Sequence, residues 1–334
     1  MKIAFFEIED WEIEYIKKKL QGYTIEIYKE HIGVDIAEQL KDVEIISVFI
    51  YSSLTEEILE KMPQLKLIVT RSTGYDHIDL AYCKKKGISV CNVPTYGANT
   101  VAEHTFALIL SLSRNIIPSV ERTRRGSFEV DGLRGFDLHG KTIGVIGVGH
   151  IGKEVIRIAQ GFGMRVIAYT GHPNEELAKK LKISFHSLSE LLSLSDVISL
   201  HVPLLKETRH MINKRNIGKC KKGSMLINTA RGGLIETEAI LYGLEKGIFS
   251  SVGLDVLEEE CGVKEERELL SGKFIESCDL KTQLYNHVLL RRENVLITPH
   301  NAFNSNEALD TILKITSENI VNFMNKTPIN IVKL

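Results

Sequence analysis

Short apolar runs and amphipathic stretches alternate along the first hundred residues. The runs at 2–6, 24–28, 44–49, 65–69 and 88–92 have the length of strands, and the stretches at 11–20 and 56–62 have helical character. Strands separated by helix-sized connections cannot pair through tight hairpins, so the pattern predicts parallel βαβ units. At Val101 it changes to a long apolar helix, AEHTFALILSLSRNI, and then to a polar stretch, ERTRRGSFEVDGLRGFDLHG. A second alternating series starts at Lys141, with TIGVIG, MRVIAY, DVISLHV, SMLINTA and SVGLDV as its clearest strands. The stretch 261–290 is charged and shows no clear period, and a last helix is predicted over 305–324. At 334 residues the chain exceeds what one core comfortably holds, so two α/β domains are expected.

Composition narrows the class without choosing a function. Lys and Arg total 42 against 43 Asp and Glu, which leaves no basic footprint for nucleic acid. No apolar run approaches the roughly 18 residues of a membrane span. The opening MKIAFFEIEDWEIEY turns acidic at once and lacks the basic-then-apolar order of an export signal, so a cytoplasmic location is expected. Five scattered cysteines without a C-x-x-C read as packing residues, and no His/Cys/Asp/Glu cluster has metal-ligand spacing, so no metal is expected.

The first chemical signal is Gly147-Val-Gly149-His150-Ile151-Gly152, a G-x-G-x-x-G between a strand and a helix. Gly147 suits a tight turn, Gly149 lets backbone approach a pyrophosphate, and Gly152 allows close helix–strand packing. The helix start offers free N–H groups and a positive dipole end to the phosphates. This predicts a dinucleotide site, to which His150 and Ile151 also belong. An acidic residue is expected at the end of the next strand to hold the adenosine ribose. There the chain reads Thr170-Gly171-His172 instead. Without that carboxylate a 2′-phosphate is not repelled, but His172 replaces arginine poorly. The cofactor is therefore NAD or NADP, with the choice open.

A whole α/β module precedes this fingerprint, and a helix is left over after the second one. That layout, with TRSTGYDHID, GVGHIG, SLHVPL, INTARGG, GLDVLEEE and ITPH in order, resembles the D-isomer-specific 2-hydroxyacid dehydrogenase family over nearly the whole chain, within it most the D-lactate dehydrogenase branch. The last three motifs are far more specific than the glycines. The resemblance implies an α/β fold of two doubly wound parallel-sheet domains. A Rossmann cofactor domain, 101–299, would be inserted into a flavodoxin-like substrate domain, 1–100 plus 300–334. It also implies reversible reduction of a small pyruvate-like 2-keto acid to the D-2-hydroxy acid, and a homodimer formed through the helix at 101–113 and the polar arm after it.

Residue by residue, the resemblance matches Arg231 to the substrate arginine, whose planar fork can grip a carboxylate and polarise the adjacent carbonyl. His300 matches the acid–base histidine and Glu260 its carboxylate partner, which favours the imidazolium. Asp255 matches a residue near the nicotinamide carboxamide. His201, Pro203 and Thr229 are assigned to the cofactor with Thr170. The backbone at Thr73 and Gly74 matches the loop that receives the substrate carboxylate, and Tyr51, Tyr96 and Phe303 match an aromatic lining. Taken singly, each has a plainer reading: a surface arginine, a solvated Glu258–Glu260 run, a structural histidine. His77, His104, His139 and His287 read as structural or surface residues. Departures at Gly97-Ala98 and Thr170 keep an NADPH-dependent glyoxylate or hydroxypyruvate reductase as the main alternative. An NAD(H)-sensing binding protein is the alternative from another class.

Overall fold

The computed structural model describes residues 1–259 and 279–333. They form two compact units, Met1–Tyr96 with Ser305–Leu334, and Gly97–Asn304. The chain passes from one to the other at helix caps. Gly97 precedes the helix Ala98–Ser113, and the Ser305 side chain accepts from the Ala308 amide at the start of Asn306–Met324.

The first unit is a five-stranded parallel sheet, β1 (Lys2–Phe5), β2 (Thr24–Ile27), β3 (Ile45–Val48), β4 (Leu67–Thr70) and β5 (Ser89–Cys91), in the order β2-β1-β3-β4-β5. β3 and β4 are buried at every position, as strands must be when helices cover both faces. Alternate residues feed two cores: Ala4, Ile46, Ile68 and Val90 on one face, Ile3, Phe5, Ile45, Leu67 and Val69 on the other. Leu313 and Ile320 of the last helix complete the second core. Residues 330–332 then lie along β5, where Val332 N–H donates to the Val90 carbonyl at 2.8 Å.

The second unit holds β6 (Thr142–Ile146), β7 (Arg165–Tyr169), β8 (Ser184–Phe185), β9 (Val197–Leu200), β10 (Ser224–Asn228), β11 (Phe249–Leu254) and β12 (Val295–Ile297). All pair in parallel in the order β12-β11-β10-β9-β6-β7-β8. The fold is therefore α/β with two doubly wound parallel sheets, flavodoxin-like and Rossmann in strand order. β8 and β12, only two and three residues long, are the edge strands that the clearest apolar runs leave out.

Two helices differ from the expected pattern for physical reasons. Residues 280–290, inside the stretch without a legible period, form the helix Leu280–Leu290, whose Asp279 cap accepts from the Lys281 and Thr282 amides. Its buried face is largely polar: Gln283 and Asn286 donate to the carbonyls of Glu259 and Glu258 at 2.8 and 2.9 Å, so no apolar stripe marks it. The helix Ala98–Ser113 buries Val101, Phe106, Leu108 and Ile109 inside its own unit. The exposed apolar residues nearby are instead Ile116, Ile117 and Val120 on the helix Ile116–Arg124, with Phe128 and Val130 in the arm, 83% and 78% exposed. No helix among the described residues is long and apolar enough to cross a membrane.

Candidate active site

In a parallel sheet every carboxyl end lies on the same edge. In the second unit this edge carries, strand by strand, the residues singled out in the sequence. His300 follows β12, Asp255 follows β11, Thr229 and Arg231 follow β10, His201 and Pro203 follow β9, Gly147 follows β6 and Thr170 follows β7. β10, β11 and β12 are neighbours, so Arg231 and His300 leave strands roughly 10 Å apart, with Asp255 between them. Strand order reverses where β6 meets β7 on one side and β9 on the other, the switch point at which doubly wound sheets take their ligands.

The glycine turn sits at that point. Gly147 has φ +100°, and a Cβ there would lie 2.5 Å from the His201 carbonyl oxygen. A Cβ on Gly152 would lie 2.0 Å from the Gly147 carbonyl oxygen, so the helix His150–Gly161 abuts the turn. Gly149 faces open space, and no side chain caps the helix it starts. Close packing behind the turn and bare backbone in front of it fit a dinucleotide pyrophosphate. At the end of β7, Thr170 is half-buried and Gly171 and His172 are exposed, with no acidic side chain among the three.

His201 sits beside this turn. Its Nε2 pairs with Ser199 Oγ at 2.8 Å, and its Nδ1 is buried without a partner among the described residues. Burial pushes its pKa down to about 3, so the ring stays neutral. Asp255 is buried and its carboxylate is fully engaged. It accepts from Thr298 Oγ1 at 2.5 Å and from the Asn301 and Ala302 amides at 3.0 and 2.9 Å. The His300 amide donates to the Asp255 carbonyl at 2.8 Å, and His300 itself takes φ +52°. Asp255 thus braces the turn that carries His300, beyond the place near the cofactor that the resemblance implies. His104 joins this network, its Nε2 at 3.0 Å from Thr298 Oγ1 and 3.4 Å from Asp255 Oδ1.

Arg231 opens a short 3-10 turn, Gly232–Leu234. Asn228 Nδ2 donates to the Arg231 carbonyl at 2.9 Å, and the His210 amide to the Gly233 carbonyl at 2.8 Å. Glu258, part of an acidic run that alone would be solvated, is largely buried against the same region. Its carboxylate pairs with His210 Nε2 and accepts from the Thr237 hydroxyl at 2.9 Å. Glu260, the expected partner of His300, lies outside the described residues.

The carboxyl edge of the first unit carries Glu7 after β1, Tyr51 after β3, Thr73 and Gly74 after β4, and Tyr96 after β5. Glu7, at φ +56°, accepts from the Phe49 and Tyr51 amides, both at 2.7 Å, and from Ser52 Oγ at 2.8 Å. Buried Arg71 donates to the carbonyls of Phe6 and Glu7 at 2.8 and 2.7 Å, so the segment bearing Tyr51 is pinned from below. In the next loop the carbonyls of Ser72, Thr73 and Gly74 accept from Val93 N, Asn92 Nδ2 and Ser72 Oγ at 3.0, 2.8 and 2.6 Å. The amides of Thr73, Gly74 and Tyr75 have no acceptor among the described residues. Successive N–H groups without an acceptor can receive an anion where they converge. Tyr51 is exposed, and Phe303 follows the His300 turn in the second unit.

Glu7, Asn92, His104, His210 and Glu258 carry no local signal of these roles. Each acts on a partner 19 or more positions away, and no spacing rule reaches that far.

Comparison with known proteins follows the same lines. A sequence model of the D-isomer specific 2-hydroxyacid dehydrogenase, NAD binding domain, matches residues 106–302. A 2-hydroxyacid dehydrogenase homolog of Zymomonas mobilis is 38% identical over 317 residues, covering 93% of each chain. D-lactate dehydrogenase of Escherichia coli is 34% identical, covering 96% of each. Among solved structures, D-lactate dehydrogenase from Aquifex aeolicus, in complex with NAD and lactic acid, superposes with a TM-score of 0.87 at 40% identity, over 97% of this chain and 96% of that one.

Proposed function

The chain belongs to the D-isomer-specific 2-hydroxyacid dehydrogenase family, oxidoreductases of the CH–OH group, and from that premise we propose that it reversibly reduces a small pyruvate-like 2-keto acid to the D-2-hydroxy acid with NAD(H). One observation carries this reading: the glycine turn, Arg231 and His300 share the carboxyl edge of one parallel sheet, at and beside its switch point. The pyruvate-like substrate is favoured by the likeness to D-lactate dehydrogenases of Escherichia coli and Aquifex aeolicus, the latter seen with NAD and lactic acid.

The turn from Gly147 to Gly152 holds the pyrophosphate, and His201, Pro203, Thr229 and Asp255 bound the rest of the cofactor with Thr170. When bound, the reduced nicotinamide supplies a hydride. The chain's own residues supply charge and protons. Arg231 grips the substrate carboxylate and polarises its keto oxygen, which lowers the barrier as negative charge grows there. His300 holds the proton that this oxygen takes up in reduction, and accepts it from the hydroxyl in the reverse direction. Glu260, by family position, favours the charged imidazole. By family position the amides of Thr73 and Gly74 receive the carboxylate, and Tyr51, Tyr96 and Phe303 are each assigned to the substrate.

A second reading is carried by the end of β7, where no carboxylate repels a 2′-phosphate: NADPH-dependent reduction of glyoxylate or hydroxypyruvate. The exposed apolar residues Phe128 and Val130 support a homodimer formed through the arm.

The test is oxidation of NADH and of NADPH at pH 7 with pyruvate, glyoxylate, hydroxypyruvate and phenylpyruvate, with chiral analysis of the product. NADH with pyruvate giving D-lactate is expected. Preference for NADPH with glyoxylate or hydroxypyruvate selects the second reading, and an L product or no turnover with any acid overturns both.

A further inference from the structure

The loop after β4 leaves one peptide group to be explained. Its Thr73 carbonyl accepts from the side chain of half-buried Asn92, at 2.8 Å, although Thr73 itself is exposed. No peptide bond among the described residues is cis, and in a planar trans peptide the carbonyl of one residue and the N–H of the next point in opposite directions. Holding the Thr73 carbonyl therefore fixes where the Gly74 N–H is aimed.

Asn92 is itself held from several sides. Its amide donates to the Asn330 carbonyl at 3.2 Å, and its own carbonyl accepts from Asn319 Nδ2 at 2.9 Å. Asn319 is fully buried, and its Oδ1 accepts from Asn330 Nδ2 at 2.8 Å. Thr73 Oγ1 donates to the Val93 carbonyl at 2.9 Å, which ties the loop to the same segment. Three asparagines from the end of β5, the last helix and the C-terminal segment thus form one hydrogen-bonded chain that ends on a single carbonyl. A packing role would be met by any apolar side chain of the right size. Asn319 is fully buried while Asn92 and Asn330 are half-buried. A buried amide costs desolvation unless it is satisfied, as Asn319 is by its links to both neighbours, which in return define direction.

We propose that Asn92, oriented by Asn319 and Asn330, is a positioning residue for the substrate carboxylate: it aims the Gly74 amide at the oxygen that this amide receives. The inference rests on the reading of the Thr73–Gly74 loop as the carboxylate receiver. Asn92 touches no substrate, and its effect passes through the peptide plane alone.

The experiment compares pyruvate with its neutral amide, pyruvamide, as substrates of the full-length protein, reading kcat and KM separately at saturating NADH. In Asn92→Ala, kcat/KM for pyruvate should fall about tenfold, mainly through KM, and that for pyruvamide by less than about twofold. Asn330→Ala, at the outer end of the chain, should give a smaller loss of the same selective kind and covers the case in which Asn92→Ala does not fold. Asn92→Gln, which keeps an amide donor, should recover part of the preference. An equal fall with both substrates, or an undiminished preference for pyruvate in a folded variant, overturns the inference and leaves the loop assignment standing. Absence of any preference for pyruvate in the unmodified protein overturns the loop assignment itself.

Discussion

At the scale of single residues, the role proposed for Arg231 combines two demands, gripping a carboxylate and polarising the neighbouring carbonyl, that one side chain meets only with a planar, permanently charged fork. Lysine keeps the charge and loses the second hydrogen bond. Arg231→Lys should therefore lower kcat/KM with the 2-keto acid by about a hundredfold or more, while NADH affinity, read by fluorescence titration, stays near normal. Unaltered turnover in a folded Arg231→Lys protein would remove the residue from the mechanism. His201 makes a different prediction. Burial holds its folded-state pKa at about 3, against 6.5 for an ordinary histidine. The unfolded chain then binds the extra proton, so the stability tied to this neutral ring is complete above about pH 6.5 and is lost as the pH falls toward 3. Between pH 7 and pH 4.5 this amounts to roughly 2–3 kcal/mol. His201→Gln, which cannot titrate, should narrow the difference in melting temperature between those two pH values. An unchanged difference would place the proton elsewhere.

At the scale of elements, the cofactor unit depends on how its strands are started as well as how they end. Asp196 lies just before β9 and accepts from the Thr142 amide at 2.9 Å and from Lys221 Nζ at 2.8 Å. Its own amide donates to the Thr142 carbonyl, and its carbonyl accepts from Met225 N, both at 2.8 Å. One residue thus stitches the amino ends of β6, β9 and β10, the three strands whose far ends carry the glycine turn, His201 and Arg231. Burial pushes the Asp196 carboxyl up, but Lys221 and the Thr142 amide pull it down further, and the net result lies below the usual carboxylate range. Asp196→Asn should cost about 1–2 kcal/mol of unfolding free energy at pH 7. A carboxylate with a lowered folded-state pKa contributes above its unfolded value and loses that contribution as pH falls through the folded one. The gap between the two proteins, measured by urea denaturation, should accordingly close toward pH 2. A gap independent of pH would mean that the charge is irrelevant.

At the scale of the whole molecule, the arm after Ile116–Arg124 exposes Phe128 and Val130 almost completely, with Ile116, Ile117 and Val120 close by in sequence. Apolar surface left in water gains nothing unless another surface covers it. If a second copy does so, Phe128→Glu combined with Val130→Glu should shift sedimentation from dimer to monomer at micromolar concentration. A monomeric unmodified protein, or a dimer indifferent to both charges, would place the contact elsewhere.

Periodicity and motif order in the chain itself determined two parallel α/β sheets, a glycine turn at Gly147–Gly152 between a strand and a helix, and the family to which the chain belongs. These are local properties: strand length, glycine spacing and short runs of residues are all readable within about ten positions. The stretch 280–290 defeated that reading because its helix buries Gln283 and Asn286, whose partners are backbone carbonyls rather than an apolar core. Tertiary structure alone decided what stands behind the site residues. Asp255 braces the His300 turn, Glu258 turns from a solvated acid into the partner of His210 and Thr237, and Glu7 gathers the amides before and at Tyr51. Each of these links joins residues far apart in the chain through the orientation of one donor or acceptor. Such orientation exists only after the strands have taken their order in the sheet, so no pattern in one dimension records it.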